Sequence, residues 1–515
     1  MNYFELPLKY RYLFKKVAIG VLALLGGSFV FLTTNSYGAG LTPDSVAYIS
    51  ASRNLAEGNG FLTYNGLYLV VQPPLYPIIL AVVKKITLID PLTSAGYVNA
   101  VLFGVIIYLS GLLLLKYLKS FALIFLGTVS VLISYALVHA SLMALSELLF
   151  IFLVLLFFYF LGTYQKKGDL VSLFLFSVSV ALSCLTRYTG VVLILAGLIS
   201  ILVLSKNNAK EKFWHSLIFL VVAVSPIIVW ITRNYFISGT LVGQRAASSY
   251  TLFENTKFLF STVSSWYIPS NLLGIYFLLI LLIVAGRFFI GFDRSKSSLT
   301  ELLKQIGPTL LFVSLYVGVI VVSSTTTAYD RISDRLLSPI YIPIIFILFF
   351  VSDKIRSHLI KYYQPKLITG FLIIGILIWI VLPITNTIRT VHEYARSAGL
   401  GYNSFLWRES PTIGYIKLHE HLSKNYAFYS NEPEAVYILT GIQTKRSPAK
   451  TYYNSPQLFN INHHKEEIWH NGEKVYLIWF DLANRSFLFT IDELREKINM
   501  TVVAQMKDGE IYTFH

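Results

Sequence analysis

Residues 94–115 read SAGYVNAVLFGVIIYLSGLLLL, twenty-two positions without a charged side chain. A bilayer core is about 30 Å thick, and a helix needs roughly 20 apolar residues to cross it. Ten further segments of this character lie near 17–34, 121–138, 148–164, 170–186, 188–205, 216–232, 271–290, 306–322, 338–351 and 367–384, giving eleven predicted spans. Composition points the same way. Of 515 residues, 55% are hydrophobic, 15% aromatic and only 13% charged, whereas globular chains carry about 25% charged residues. Disorder is excluded, and a cytosolic enzyme of this size has no means of hiding so much apolar surface. The single cysteine, Cys184, excludes an intramolecular disulfide framework and a cysteine-based zinc site. The first apolar segment lacks a small-x-small cleavage pattern and leads into further spans, so it reads as a span and not as a cleaved signal.

Orientation follows from the lysines and arginines. With the N-terminus inside, the inner loops hold nineteen of them, from Lys9, Arg11, Lys15 and Lys16 through Lys354, Arg356, Lys361 and Lys366. The outer loops hold nine: Arg53, Lys84, Lys85, Arg187, Arg233, Arg245, Lys257, Arg331 and Arg335. This bias favours a cytoplasmic N-terminus, and an odd number of spans then puts the C-terminal region outside. The net charge of +15 is thereby mostly topology, and nucleic acid needs no part in explaining it.

Two regions depart from the spanning pattern. Residues 74–90 open with Pro74-Leu75-Tyr76-Pro77 and stop at Lys84-Lys85, too short to span, and are expected to lie in the outer interface. After about residue 385 polar residues return. Residues 1–384 are read as a transmembrane domain and 385–515 as a small extracytoplasmic α/β domain, within the usual domain size. In the latter, 411–424 reads as a helix and 426–430 and 475–480 as strands. Residues 501–514 read as a hairpin around Asp508-Gly509.

The spans are nearly free of charge, and the polar residues gather at outer helix ends. Ion-coupled carriers more often place carboxylates at mid-membrane, so the distribution suggests a site at the outer boundary. The first outer loop is richest, with Thr42, Pro43, Asp44, Ser45 and Tyr48, then Arg53, Gly58 and Gly60. Thr42 fits a helix N-cap and Pro43 the first helical position. On local sequence alone Asp44 is an acid favoured by the helix dipole.

The order of an early outer-loop Asp44, Tyr48 a few residues on, and then Gln72-Pro73-Pro74-Leu75-Tyr76-Pro77 resembles the GT-C glycosyltransferases. It is most similar to glycosyltransferase family 39 and its relatives, the protein O-mannosyltransferases and lipid A aminoarabinose transferases. Ser146-Glu147-Leu148-Leu149-Phe150 resembles the acidic motif of the second outer loop, and Leu185-Thr186-Arg187-Tyr188 the arginine motif after the fifth span. Trp230 to Tyr235, with Arg233, resembles the motif after the seventh, and Asp334-Arg335-Leu336-Leu337-Ser338-Pro339 the arginine-bearing start of a later span. The resemblance covers about residues 15–350. It implies a membrane glycosyltransferase with a polyprenyl-phosphate sugar as donor and a glycan, lipid or protein as acceptor on the outer face. It further implies single-displacement inversion with Asp44 as general base, and Glu147, Arg187, Arg233, Arg331, Arg335, Tyr48 and Gln72 as substrate-binding candidates. Guanidinium groups suit the phosphate leaving group because they bind its oxygens bidentately.

The chain departs from the family in carrying Asp44-Ser45 where Asp-Glu is frequent, and Gln72 where a His often precedes Pro-Pro. No cofactor is assigned. A divalent metal is left open, with Glu147 and His139 as the further ligands it would require. Bland readings stand beside the functional ones: Glu147 as a helix-start acid, Arg187 and Arg233 as anchors to lipid phosphates, and Arg335 with Asp334 as a surface ion pair. His463, His464 and His470 read as a solvated patch, and the sequons at Asn484 and Asn499 are weak. The alternative functions are a lipid-linked sugar flippase or transporter, for which no repeated half is visible, and a membrane scaffold, which has no use for the Asp44 loop.

Overall fold

The structure, a computed structural model, describes residues 8–267, 296–360, 364–419, 426–459, 475–481 and 485–514. Among them, seven helices are long and apolar enough to cross a membrane. The pair Phe121–Leu132 and Tyr135–Leu142, bent by 43°, makes up to eight. The chain is a multi-pass membrane protein with a small C-terminal sheet. Ten of the eleven predicted segments fall within helices or, for 121–138 and 188–205, broken helices. The segment 271–290 lies outside the described residues, as do His463, His464, His470 and Asn484.

Close packing fixes the first helices. Leu8–Tyr37 crosses Pro91–Tyr117 where Gly27 faces Gly104. A Cβ on Gly104 would sit 3.0 Å from the Ala23 carbonyl oxygen. Small residues of this kind let helix backbones approach in lipid, where apolar burial alone gives no advantage over contact with the acyl chains. The outward faces stay apolar, as at Leu24, Leu25, Phe371 and Ile378, all exposed within the protein.

Alternation of the helices puts several polar ends on one face. The helix Leu8–Tyr37 ends there, Pro91–Tyr117 starts there, and Glu147–Lys167 starts there. Two shorter helices stay at that face. Pro43–Glu57 and Leu75–Thr87 are tied together by Lys84 to Glu57 at 2.7 Å, and Arg53 grips Asp90, the N-cap of Pro91–Tyr117, through two hydrogen bonds of 2.8 and 2.9 Å. The segment expected to lie in the interface is thus a 13-residue helix that turns back to the face it came from. Val82, Ile86 and Leu88 remain exposed along it.

The last long helix, Pro365–Arg396, runs unbroken past the compositional change near residue 385. Beyond it, among the described residues, five strands form a mixed sheet: β1 (Ala427–Ser430), β2 (Lys445–Arg446), β3 (Val475–Phe480), β4 (Thr501–Met506) and β5 (Gly509–Phe514), in the order β2-β1-β3-β5-β4. β1 is parallel to β2 and β3, while β5 is antiparallel to β3 and β4. The expected hairpin forms, but its turn is Lys507-Asp508, one residue before the Asp508-Gly509 pair, and Gly509 already pairs with Met506. The expected helix from residue 411 is described as Pro411–Leu418; residues 420–425 lie outside the described residues. The sheet sits on the Asp44 face. Leu41 bridges Gly401, and the Tyr64 hydroxyl donates to Glu434 at 2.9 Å. Arg485 joins Glu432 and Glu434 at 2.6 and 2.8 Å.

Candidate active site

Asp44 owes its position to a cap. Thr42 is the N-cap of Pro43–Glu57, its hydroxyl accepting from the Ser45 amide, while Ser45 Oγ accepts from the Thr42 amide at 3.0 Å. Pro43 takes the first helical position, so the Asp44 carboxylate stands in the first turn, where the helix dipole favours an anion. Ser45 thereby closes a capping box with Thr42.

Two other candidates, Gln72 and Arg335, hydrogen-bond Asp44, and Glu147, Arg187 and Tyr48 stand beside them. Gln72 Nε2 donates to Asp44 Oδ1 at 2.9 Å. Arg335, in the first turn of Asp334–Leu359, donates through Nη2 to Asp44 Oδ2 and through Nε to Glu147 Oε1 at 2.8 Å. Arg187, at the end of Leu170–Thr186, reaches the same Glu147 oxygen with Nη1 at 2.6 Å. Arg335 therefore does not pair with its neighbour Asp334, which instead accepts from Trp266 Nε1 at 2.5 Å. Tyr48, one turn after Asp44, hydrogen-bonds Ser146 at 3.2 Å, next to Glu147.

The electrostatics are balanced but unequal in burial. Glu147 is 1% exposed while Asp44 keeps 35% of its side chain open. Burial pushes the Asp44 carboxyl up, but the Arg335 charge and hydrogen bonds from Arg335 and Gln72 outweigh it and hold the group below its ordinary value. Burial, reinforced by the Asp44 charge, pushes the Tyr48 phenol up, so it stays protonated. The second Glu147 oxygen, Oε2, is buried and has no hydrogen-bond partner.

Local geometry explains how each piece is held. Behind Arg187 the chain turns sharply through Tyr188–Gly190, and a Cβ on Gly190 would come within 2.7 Å of the Ser183 carbonyl. Glu147 follows a non-helical stretch braced from below by Asn99, which donates to the Ser141 and Met143 carbonyls at 3.0 and 2.7 Å. Asn99 was not among the sequence candidates, although a lone amide within an apolar span is a signal of its own. Arg233 lies apart from the carboxylates. It donates to the Leu69 carbonyl at 2.7 Å and stacks on Trp230 at 4.6 Å. With the Tyr188 hydroxyl, which donates to the Val70 carbonyl at 3.0 Å, it holds the segment that delivers Gln72. Arg331 also lies outside the cluster, over the Phe258 ring at 4.0 Å.

The donor set does not make a cation site as arranged. Arg335 stands between Asp44 and Glu147, and among the described residues no group of three His, Cys, Asp or Glu is placed to hold a metal.

Beside the cluster lies a cavity of about 670 Å³. It is lined by Ala47 and Gln72 near Asp44, by residues of the loops 63–72 and 237–246, and by Arg446 of β2 with Thr451, Tyr452, Tyr453, Phe459 and Phe487.

No protein-family pattern matches the chain, and no curated protein sequence matches it. Solved structures do. The chain aligns over 96% of its length with 97% of the ArnT protein of Cupriavidus metallidurans bound to undecaprenyl phosphate, at 12% identity and a TM-score of 0.59. It aligns over 90% of its length with 68% of an oligosaccharyltransferase from Archaeoglobus fulgidus in complex with zinc and sulfate, at 10% identity and a TM-score of 0.55. The oligosaccharyltransferase AglB of that organism, with an inhibitory peptide and a dolichol-phosphate, matches at 11% identity and a TM-score of 0.52. The fold is that of the GT-C membrane glycosyltransferases.

Proposed function

We propose that the chain is a glycosyltransferase that moves a sugar from a polyprenyl-phosphate donor to an acceptor on the outer face of the membrane, with inversion and with Asp44 as general base. One observation carries this reading: on a GT-C fold, the partly exposed Asp44 carboxylate and two arginines, Arg187 and Arg335, converge beside a large cavity. The ArnT structure with the same fold holds undecaprenyl phosphate, the lipid that a polyprenyl-phosphate sugar donor leaves behind after transfer.

The step balances as a single displacement. Asp44 takes the proton of an acceptor hydroxyl as that oxygen bonds to the anomeric carbon. The bond from the anomeric carbon to the phosphate oxygen breaks, and its electron pair leaves with the polyprenyl phosphate. Arg187 and Arg335 meet the growing phosphate charge. Positioned general-base help of this kind is worth roughly 10²–10⁴-fold. Arg335 has a second effect: as phosphate takes its N–H groups, Asp44 loses the partner that holds its carboxyl down and becomes a stronger base. In this reading the N-terminus is cytoplasmic, residues 1–384 are the membrane domain, and residues 385–515 form the extracytoplasmic domain.

The test is transfer of radiolabelled sugar from a polyprenyl-phosphate donor by reconstituted protein. Wild type transfers label and Asp44→Asn, at equal expression, does not. Movement of intact donor across the bilayer without transfer overturns the reading in favour of a flippase.

A further inference from the structure

The cavity beside Asp44 has a lopsided charge. Among the described residues that line it there are two arginines, Arg245 and Arg446, and no aspartate or glutamate. Arg245 comes from the loop after helix Ala209–Ser238, where its Nη2 donates to the Val242 carbonyl at 2.8 Å and its guanidinium lies 5.3 Å from the Tyr329 ring. Arg446 comes from the edge strand β2 of the C-terminal sheet and lies over the Phe459 and Phe487 rings at 5.6 and 5.9 Å. Glu434 accepts from the Tyr64 hydroxyl at 2.9 Å, and Asp330 from Tyr453 at 2.6 Å. Both tyrosines line the same cavity, which thus presents aromatic rings as well as its two cations.

We propose that this cavity is the acceptor subsite and that it takes an anionic saccharide, bearing carboxylate or phosphate groups, between Arg245 of the membrane domain and Arg446 of the C-terminal domain. Guanidinium groups recognise carboxylate and phosphate oxygens bidentately. Flat aromatic faces suit the apolar faces of a sugar ring and give it orientation. The walls are loops and sheet, with only the ends of helices contributing, so the space suits a hydrated glycan and offers no groove for a polyprenyl chain. Gln72 lines the cavity and donates to Asp44, so the base lies one hydrogen bond behind the cavity wall. The C-terminal domain thereby supplies half of the charge that selects the acceptor. This rests on the transferase reading above.

The probe is trigalacturonate, compared with the neutral maltotriose of equal length, titrated by calorimetry into the full chain in detergent. Wild type is expected to bind trigalacturonate at least about tenfold tighter, in line with charge-assisted pairing. Arg446→Gln and Arg245→Gln should each remove most of that preference, and Arg446→Lys, which keeps the charge, should retain part of it. Binding of undecaprenyl phosphate in nanodiscs should be unchanged in all three, and unaltered thermal unfolding shows that the variants are folded. Equal affinity for the two saccharides in wild type overturns the proposal. So does a preference that survives both Gln variants, or a loss confined to undecaprenyl phosphate, which assigns the arginines to the donor. Saccharide binding is read without turnover, so its failure is distinct from failure of the Asp44→Asn transfer test.

Discussion

Asp44 and Glu147, on two different helices, are held by one guanidinium: Arg335 donates to Asp44 through Nη2 and to Glu147 through Nε at 2.8 Å. A planar guanidinium holds the two carboxylates through separate N–H groups of fixed geometry, whereas an ammonium is a compact charge with no such fork. Arg335→Lys should therefore lower kcat/KM for sugar transfer by about tenfold or more, the scale of one lost charge-assisted hydrogen bond. Near-normal kinetics in the Lys variant would show that the bridge is dispensable.

The same bridge sets a pH dependence. Asp44 must be ionised to act, so activity rises with pH through its pKa and is flat above it. Burial raises that pKa, but Arg335 and Gln72 bring it below the ordinary carboxylate value. Arg335→Gln removes the larger of the lowering influences, so the acid limb of kcat/KM should move to higher pH. Gln72→Leu should move it the same way by less. The pH profile of residual transfer measures both, and an acid limb that stays in place in Arg335→Gln would take Asp44 out of the base role.

Much of this was legible in the sequence, and the rest was hidden for physical reasons. The spans announce themselves because lipid demands long apolar helices. The Thr42-Pro43-Asp44 cap was readable because capping is local. The Asp44–Arg335 pair joins residues 291 positions apart, which no local pattern encodes. The helix Leu252–Tyr267 was missed because Glu254 and Lys257 break its apolar run and its amphipathic face reads as loop. Arg233, near a helix end, and Arg331, just before one, look like the cluster residues in sequence, but side-chain direction separates them from it, and linear sequence does not carry direction.

Asn99 tests how far the site depends on its buried support. Its amide nitrogen satisfies two carbonyls just ahead of Glu147, within a fully buried stretch. Asn99→Leu takes the donor from the Ser141 carbonyl and leaves the Met143 carbonyl with the Leu145 amide alone, at a cost of roughly 1–3 kcal/mol where no water replaces the lost donor. The expected result is a lower unfolding midpoint in detergent together with a fall in kcat. Loss of stability with unchanged kcat in the surviving folded fraction would separate the brace from Glu147.

Topology is the assumption every chemical step shares, and the lone cysteine makes it easy to examine. Cys184 is fully buried and should not react with a membrane-impermeant maleimide. Asn59 follows the helix that carries Asp44, and Lys167 ends the span that begins at Glu147; both are exposed. A span of 21 residues at 1.5 Å per residue is about 30 Å long, so these two positions lie on opposite membrane faces. In intact cells Asn59→Cys should label at once, and Lys167→Cys only after the membrane is opened. The reverse pattern would put Asp44 in the cytoplasm, away from any acceptor on the outer surface.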